Sequence, residues 1–223
     1  YLDHTLHSLA NAKRAYAETR HSSVTLHDVR TVLLAGKPAN VADLQMLFLE
    51  ELADYQSRVR TGQTDTYLTF WKGDDAHIEN YCRDRLLDGL EQKMETYGVR
   101  VHKEGAMANE TRVDLLLTCD EFELPVEIKR QWHPKVWSAA CEQLEVYSEN
   151  YRTDGTGVYL VIWHGKVEGK TIPKPENTER PTTAKEMLLA LQGNLPRPLS
   201  VATKIVVLDV SKKAKPYKLT DAV

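Results

Sequence analysis

The chain has 223 residues, 42% of them hydrophobic and 27% charged, which suits one well-filled α/β core with a small appended segment and excludes wholesale disorder or a fibrous repeat. A formal net charge of −3 excludes a globally basic nucleic-acid binder but leaves room for a local positive groove. No apolar run nears the roughly 20 residues needed to cross a bilayer, the opening residues do not resemble a signal peptide, and Cys82, Cys119 and Cys141 form neither a disulfide framework nor a zinc pattern, so a cytoplasmic protein without membrane partners is expected.

Residues 1–62 read as a helical N-terminal segment. Asn40 stands as a helix N-cap with Asp43 behind it, and Leu44, Leu47, Phe48, Leu52 and Tyr55 recur at three- and four-residue spacing. Because the chain opens at Tyr1 and not at Met, it is read as a piece of a longer protein. Residues 63–223 read as the second domain. Within it, 66–71 is rich in β-branched and aromatic residues and suggests a short strand or extended connection. The run Gly73-Asp74-Asp75 is expected to open a long helix ending near Gly98, with an apolar stripe of Ile78, Cys82, Leu86, Leu90 and Met94.

The period then changes. Residues 99–103, 112–118 and 124–129 predict a three-strand meander. Pro134 sits at the first turn of a helix expected to run to about residue 152. Residues 157–163 form a continuous apolar run that fits a strand covered on both faces. A proline-containing loop over 166–182, a helix over 183–192 and a strand over 203–210 complete the chain. The expected class is α/β, with a central mixed sheet behind the helical N-terminal segment.

Chemistry concentrates on two of these strands. In Val126-Glu127-Ile128-Lys129 the alternation of strand side chains puts Glu127 and Lys129 on one face of an otherwise apolar strand. Asp114 interrupts the preceding apolar strand, and a hairpin closing near 120–123 would bring it beside Glu127. Two adjacent carboxylates repel unless a cation lies between them, and a hard oxygen site suits Mg²⁺ or Mn²⁺ better than zinc. The carbonyl of Ile128 can add a further oxygen. A lysine one strand step away can orient or help deprotonate a water and offset charge on phosphorus.

Two helices flank this trio. On the helix after the strands, Ala139, Ala140, Gln143 and Tyr147 share one face, so Gln143 projects from the small-residue side that should approach the sheet. On the earlier helix, Glu79 lies beside Cys82, Arg83 and Leu86. It is read either as a surface carboxylate paired with Arg83 or as a group that reaches the metal, directly or through water, while Arg83 contacts phosphate.

An acid on the first helix, then Asp114, then Glu127-Ile128-Lys129, then Gln143-x-x-x-Tyr147, in the order helix, three strands, helix, strand, resembles the PD-(D/E)XK nuclease superfamily, and the glutamine and tyrosine resemble the extra motif of its RecB-like branch. The resemblance covers roughly residues 76–165. Val113 stands where the superfamily carries proline. It implies a restriction-endonuclease-like core, Mg²⁺ or Mn²⁺ as cofactor, Asp114, Glu127, Ile128 and Glu79 around the ion, and Lys129, Gln143 and Tyr147 serving catalysis. DNA is the expected substrate ahead of RNA, with endo- or exonuclease action open. A looser resemblance, carried by Thr64-Asp65-x-Tyr67, Phe70-Trp71, Glu79-Asn80 and Cys82-Arg83-Asp84, is to nuclease-like domains of large bacterial proteins connected with antiviral defence.

After the catalytic strand, Arg130 and Lys135 are placed to hold phosphates, and Trp132 or His133 to pack on a sugar or base. The competing readings are a catalytically silent nucleic-acid-binding or assembly module and a ribonuclease effector. A homodimer, or other domains of a longer chain, are the protein partners expected.

Overall fold

Helix α1 (Val41–Thr61) begins where the chain supplies a cap: the Asn40 side chain accepts the Asp43 backbone N–H at 2.8 Å. Its expected stripe is buried, with Leu44, Leu47, Phe48, Leu52 and Tyr55 all at or below 8% exposure. The computed structural model describes residues 36–106, 112–142, 153, 155–176, 179–196 and 202–213. The chain divides into two compact units, Tyr1–Lys37 and Pro38–Val223, so α1 lies in the same unit as the sheet rather than before it.

The stretch at 66–71, expected to be a short strand or an extended connection, is a 3-10 helix over Thr66–Phe70, followed by the two-residue strands β1 (Trp71–Lys72) and β2 (Asp75–Ala76). Lys72 pairs with Asp75, and Gly73, at φ +63°, turns the chain between them. The helix expected to open at Gly73 is therefore delayed, because a glycine with positive φ is turn chemistry and not a helix start. Helix α2 runs Glu79–Thr96. Ile78 is its N-cap and is 65% exposed, so it falls outside the stripe, whereas Cys82, Leu86, Leu90 and Met94 are buried. Gly89 permits the close approach of α1 and α2, since a Cβ there would run into the Tyr55 ring.

The meander is β3 (Arg100–Ala106), β4 (Arg112–Cys119) and β5 (Phe122–Arg130), all antiparallel. Turns over 134–138 lead into helical residues 139–142. Strand β6 (Gly157–Trp163) is buried at every position, and it joins β5 and β7 (Thr203–Asp209) in parallel. Helix α3 (Ala184–Asn194) links the last two strands, capped by Thr183. The result is a five-stranded mixed sheet in the order β3-β4-β5-β6-β7. Among the described residues no helix is long and apolar enough to cross a membrane.

Each face of the sheet is covered by its own core. Leu124, Val126 and Ile128 of β5, with Val158 and Leu160 of β6, pack under α1 and α2. Tyr159, Val161 and Trp163 pack with Val136, Ala139, Met187 and Leu191 on the other side. The register sets Glu127 beside Tyr159 and Lys129 beside Val161, so Glu127 and Lys129 share the second face.

Candidate functional site

The pairing of β4 with β5 starts at Cys119 and Phe122 and ends at Leu115 and Val126. Beyond that point the strands separate, and the N–H groups of β5 that faced β4 need other acceptors. Side chains supply them: Asp114 Oδ2 accepts the Ile128 N–H at 2.8 Å, and Glu79 Oε2, from the first turn of α2, accepts the Arg130 N–H at 3.0 Å. The split between two strands thus draws in carboxylates from two different elements.

Lys129 lies at the centre. Its Nζ donates to Glu127 Oε1, to Asp114 Oδ2 at 3.5 Å and to the Ile128 carbonyl at 3.0 Å, and Glu79 Oε1 stands 3.7 Å away. Glu127 is 2% exposed and Lys129 7%. Burial, then repulsion from Asp114, pushes the Glu127 carboxyl up to about 7, more than Lys129 pulls it down. Burial alone would lower the Lys129 ammonium, but Glu127, Asp114 and Glu79 together outweigh it and hold its pKa above the ordinary value. Lys129 is therefore a cation sharing a site with an excess of acid.

Asp114, Glu127, Lys129, Ile128 and Glu79 are brought together. Arg83 joins them from α2, 3.9 Å from Asp114 Oδ1, but its guanidinium is also engaged by Asp84 and Glu104, each at 3.4 Å. It does not pair with Glu79 as one reading of the helix expected; Glu79 turns to β5 instead. Arg130 points inward, donating to the His77 carbonyl at 3.3 Å and lying 5.4 Å over the Trp132 ring. Trp132 is half-buried against the core and 5.2 Å from His164. His133 accepts the Lys135 N–H through Nδ1 at 3.1 Å, and burial holds its pKa below the ordinary value. Lys135 is exposed and pairs with Glu142 at 2.9 Å. Gln143 and Tyr147 lie outside the described residues.

Two residues near the cluster were not singled out from the sequence. Tyr159 stands beside Glu127 on the same face, fully buried, its hydroxyl donating to the Val136 carbonyl at 2.8 Å. Gln131, at the end of β5, accepts the His164 and Gly165 N–H groups at 2.6 and 3.2 Å and donates to the Gly165 carbonyl at 2.7 Å. Neither position is legible before the parallel register of β5 and β6 is known.

No group of three or more His, Cys, Asp or Glu side chains among the described residues is spaced to share an ion. By chemistry the oxygens of Asp114 and Glu127 with the Ile128 carbonyl suit a hard divalent cation, and all three already converge on one positive group, the Lys129 ammonium. The donor set fits such an ion in kind.

A family model described as a domain of unknown function (DUF8371) matches residues 32–166, more than half of the chain. No curated protein matches. Among solved structures, SfsA from Pyrococcus furiosus in complex with Ca²⁺ is similar over 57% of this chain and 56% of that one, at 17% identity and a TM-score of 0.33. The matched part is little more than half of the SfsA chain, and a likeness of this degree carries no functional argument.

Proposed function

The chain belongs to the DUF8371 family, and from its charged cluster we propose that it is a metal-dependent phosphodiesterase of the PD-(D/E)XK type, with a restriction-endonuclease-like core, acting on DNA. One observation carries the reading: carboxylates from α2, β4 and β5 converge on a buried lysine where two strands part. Asp114 and Glu127, with the Ile128 carbonyl, would hold Mg²⁺ or Mn²⁺, and Glu79 would complete the acidic wall. When bound, the ion supplies Lewis-acid chemistry at the phosphodiester. Lys129, kept protonated by its acidic neighbours, is suited to offset charge at phosphorus and orient a water rather than to accept a proton. By resemblance Gln143 and Tyr147 would position the substrate or the lysine. The unit would work as an effector domain of a larger bacterial protein.

A second reading is favoured by the bonds that Asp114 and Glu79 make to β5 N–H groups: the cluster closes the strand split, and the chain is a nucleic-acid-binding or assembly module without catalysis. Incubating wild type and Lys129→Ala with DNA and RNA substrates, with Mg²⁺ or Mn²⁺ and with chelator, separates the two. The phosphodiesterase reading expects ion-dependent DNA cleavage by wild type and none by Lys129→Ala at unchanged circular dichroism. Equal behaviour of the two proteins sinks it, and preferential cleavage of RNA would make the chain a ribonuclease effector.

A further inference from the structure

We propose that the cleft beyond the carboxyl ends of β5 and β6 binds a nucleoside monophosphate unit. The cleft encloses about 380 Å³, inside the roughly 300–1,000 Å³ range of small-molecule sites. In sheets with parallel strands, ligand crevices open beyond the carboxyl ends of those strands. Gln131 after β5 and Gly165 after β6 both line this cleft, and the three bonds between Gln131 and the backbone of His164 and Gly165 make that wall rigid.

Charge decides what the cleft takes. Lys166, Lys170 and Arg180 line it, and no carboxylate among the described residues does. None of these three cations forms an ion pair among the described residues, whereas Arg83, Lys93, Lys103, Lys129, Lys135 and Lys212 each have an acid within 4.0 Å. Like charges that face one concavity without counter-charge repel, and an anion placed among them relieves that repulsion. Arg180 is held in place through its Nε, which donates to the Ile172 carbonyl at 2.9 Å, leaving its terminal nitrogens as donors for a phosphate. The rest of the wall mixes the apolar Trp163, Ile172 and Pro181 with the polar Gln131, Thr171 and Thr182. A ligand with one multiply charged end and one flat ring system with polar edges matches this mixed wall, and a nucleoside monophosphate has that chemistry.

Gln131 is two residues beyond Lys129, about 7 Å along a strand, so a nucleotide in the cleft would be a near neighbour of the charged cluster. Its being part of a strand awaiting cleavage rests on the phosphodiesterase reading; the binding itself does not. Binding is measured in chelator, to prevent turnover, with two probes: dAMP by calorimetry and a short fluorescein-labelled single-stranded oligonucleotide by anisotropy. Wild type is expected to bind at least one of them. The Lys166→Ala/Lys170→Ala variant is expected to bind about tenfold more weakly. Lys174→Ala, an exposed lysine of the same loop outside the cleft, is expected to bind like wild type. Binding of dAMP alone identifies a free nucleotide as the ligand, binding of the oligonucleotide alone a strand, and either one, if lost with the lysine pair, supports the site. Binding of neither probe by wild type, equal binding by the double variant, or an equal loss in Lys174→Ala overturns it. Lysine-dependent binding by a wild type that cleaves no DNA with Mg²⁺ would overturn the phosphodiesterase reading and leave this assignment standing.

Discussion

At the outer edge of the sheet and at the split between β4 and β5, strand backbone groups lack a neighbouring strand, and side chains complete them with opposite chemistry. Around β7 the work is done by neutral amides from α1: Gln56 both donates to the Asp209 carbonyl at 3.1 Å and accepts its N–H at 2.6 Å on the outer edge, and Gln45 donates to the carbonyls of Gly157 and Ala202 at 2.9 and 2.8 Å where β6 and β7 begin. At the split it is done by the carboxylates of Asp114 and Glu79, with Glu127 and Lys129 buried beside them. An amide satisfies an N–H without bringing a charge out of water, and burying ionised groups is costly. Hydrogen bonding alone therefore accounts for Gln56 but not for the number of acids around Lys129, and the proposed cation-dependent role of the split would supply the reason.

The largest expected effect comes from making the split resemble the outer edge. On the phosphodiesterase reading, Asp114→Asn removes a carboxylate charge and should lower cleavage about a thousandfold, while the retained acceptor for the Ile128 N–H keeps the change in urea-unfolding free energy below about 1 kcal/mol. A variant that loses stability and activity together would make the carboxylate structural. Next in size is the apolar ground at the same sheet end, where His164 lies between Trp71 and Trp132. Burial lowers its pKa from 6.5 to about 4, so the unfolded chain takes up the proton first. Stability is then fully present above pH 6.5 and is lost as pH falls toward 4, by about 3 kcal/mol. Denaturant curves for His164→Phe across that window should be correspondingly flatter than those of wild type, and parallel curves would remove this residue from the acid response. The smallest effect is at the outer edge: Gln56→Leu leaves both Asp209 backbone groups without their amide partner and should cost about 2 kcal/mol, with cleavage per folded molecule unchanged.

Local patterns carried much of this in the sequence. The Asn40 cap, the α1 stripe, the three-strand meander and the all-apolar β6 follow from spacing that each segment holds within itself. The turn at Gly73 was obscured because Asp74 and Asp75 also suit a helix start, and only pairing of Lys72 with Asp75 distinguishes the two. At the site, Asp114 could be set beside Glu127 from a hairpin argument, and the turning of Glu79 toward Lys129 was one of two readings of its helix. Tyr159 and Gln131 depend on the register of β5 against β6, with the intervening chain between them, and no periodicity in either strand encodes that. Arg83 and Arg130 look available for phosphate, but partners that engage them come from distant positions: the carboxylates of Glu104 and Asp114 for one, the His77 carbonyl for the other.

The claim that the split is held for a cation is tested most directly by titrating Mn²⁺ calorimetrically into wild type and into Asp114→Asn/Glu127→Gln. Saturable binding by wild type that disappears in the diamide variant, with the fold intact, is the predicted result. No binding by wild type, or equal binding by both proteins, would contradict it.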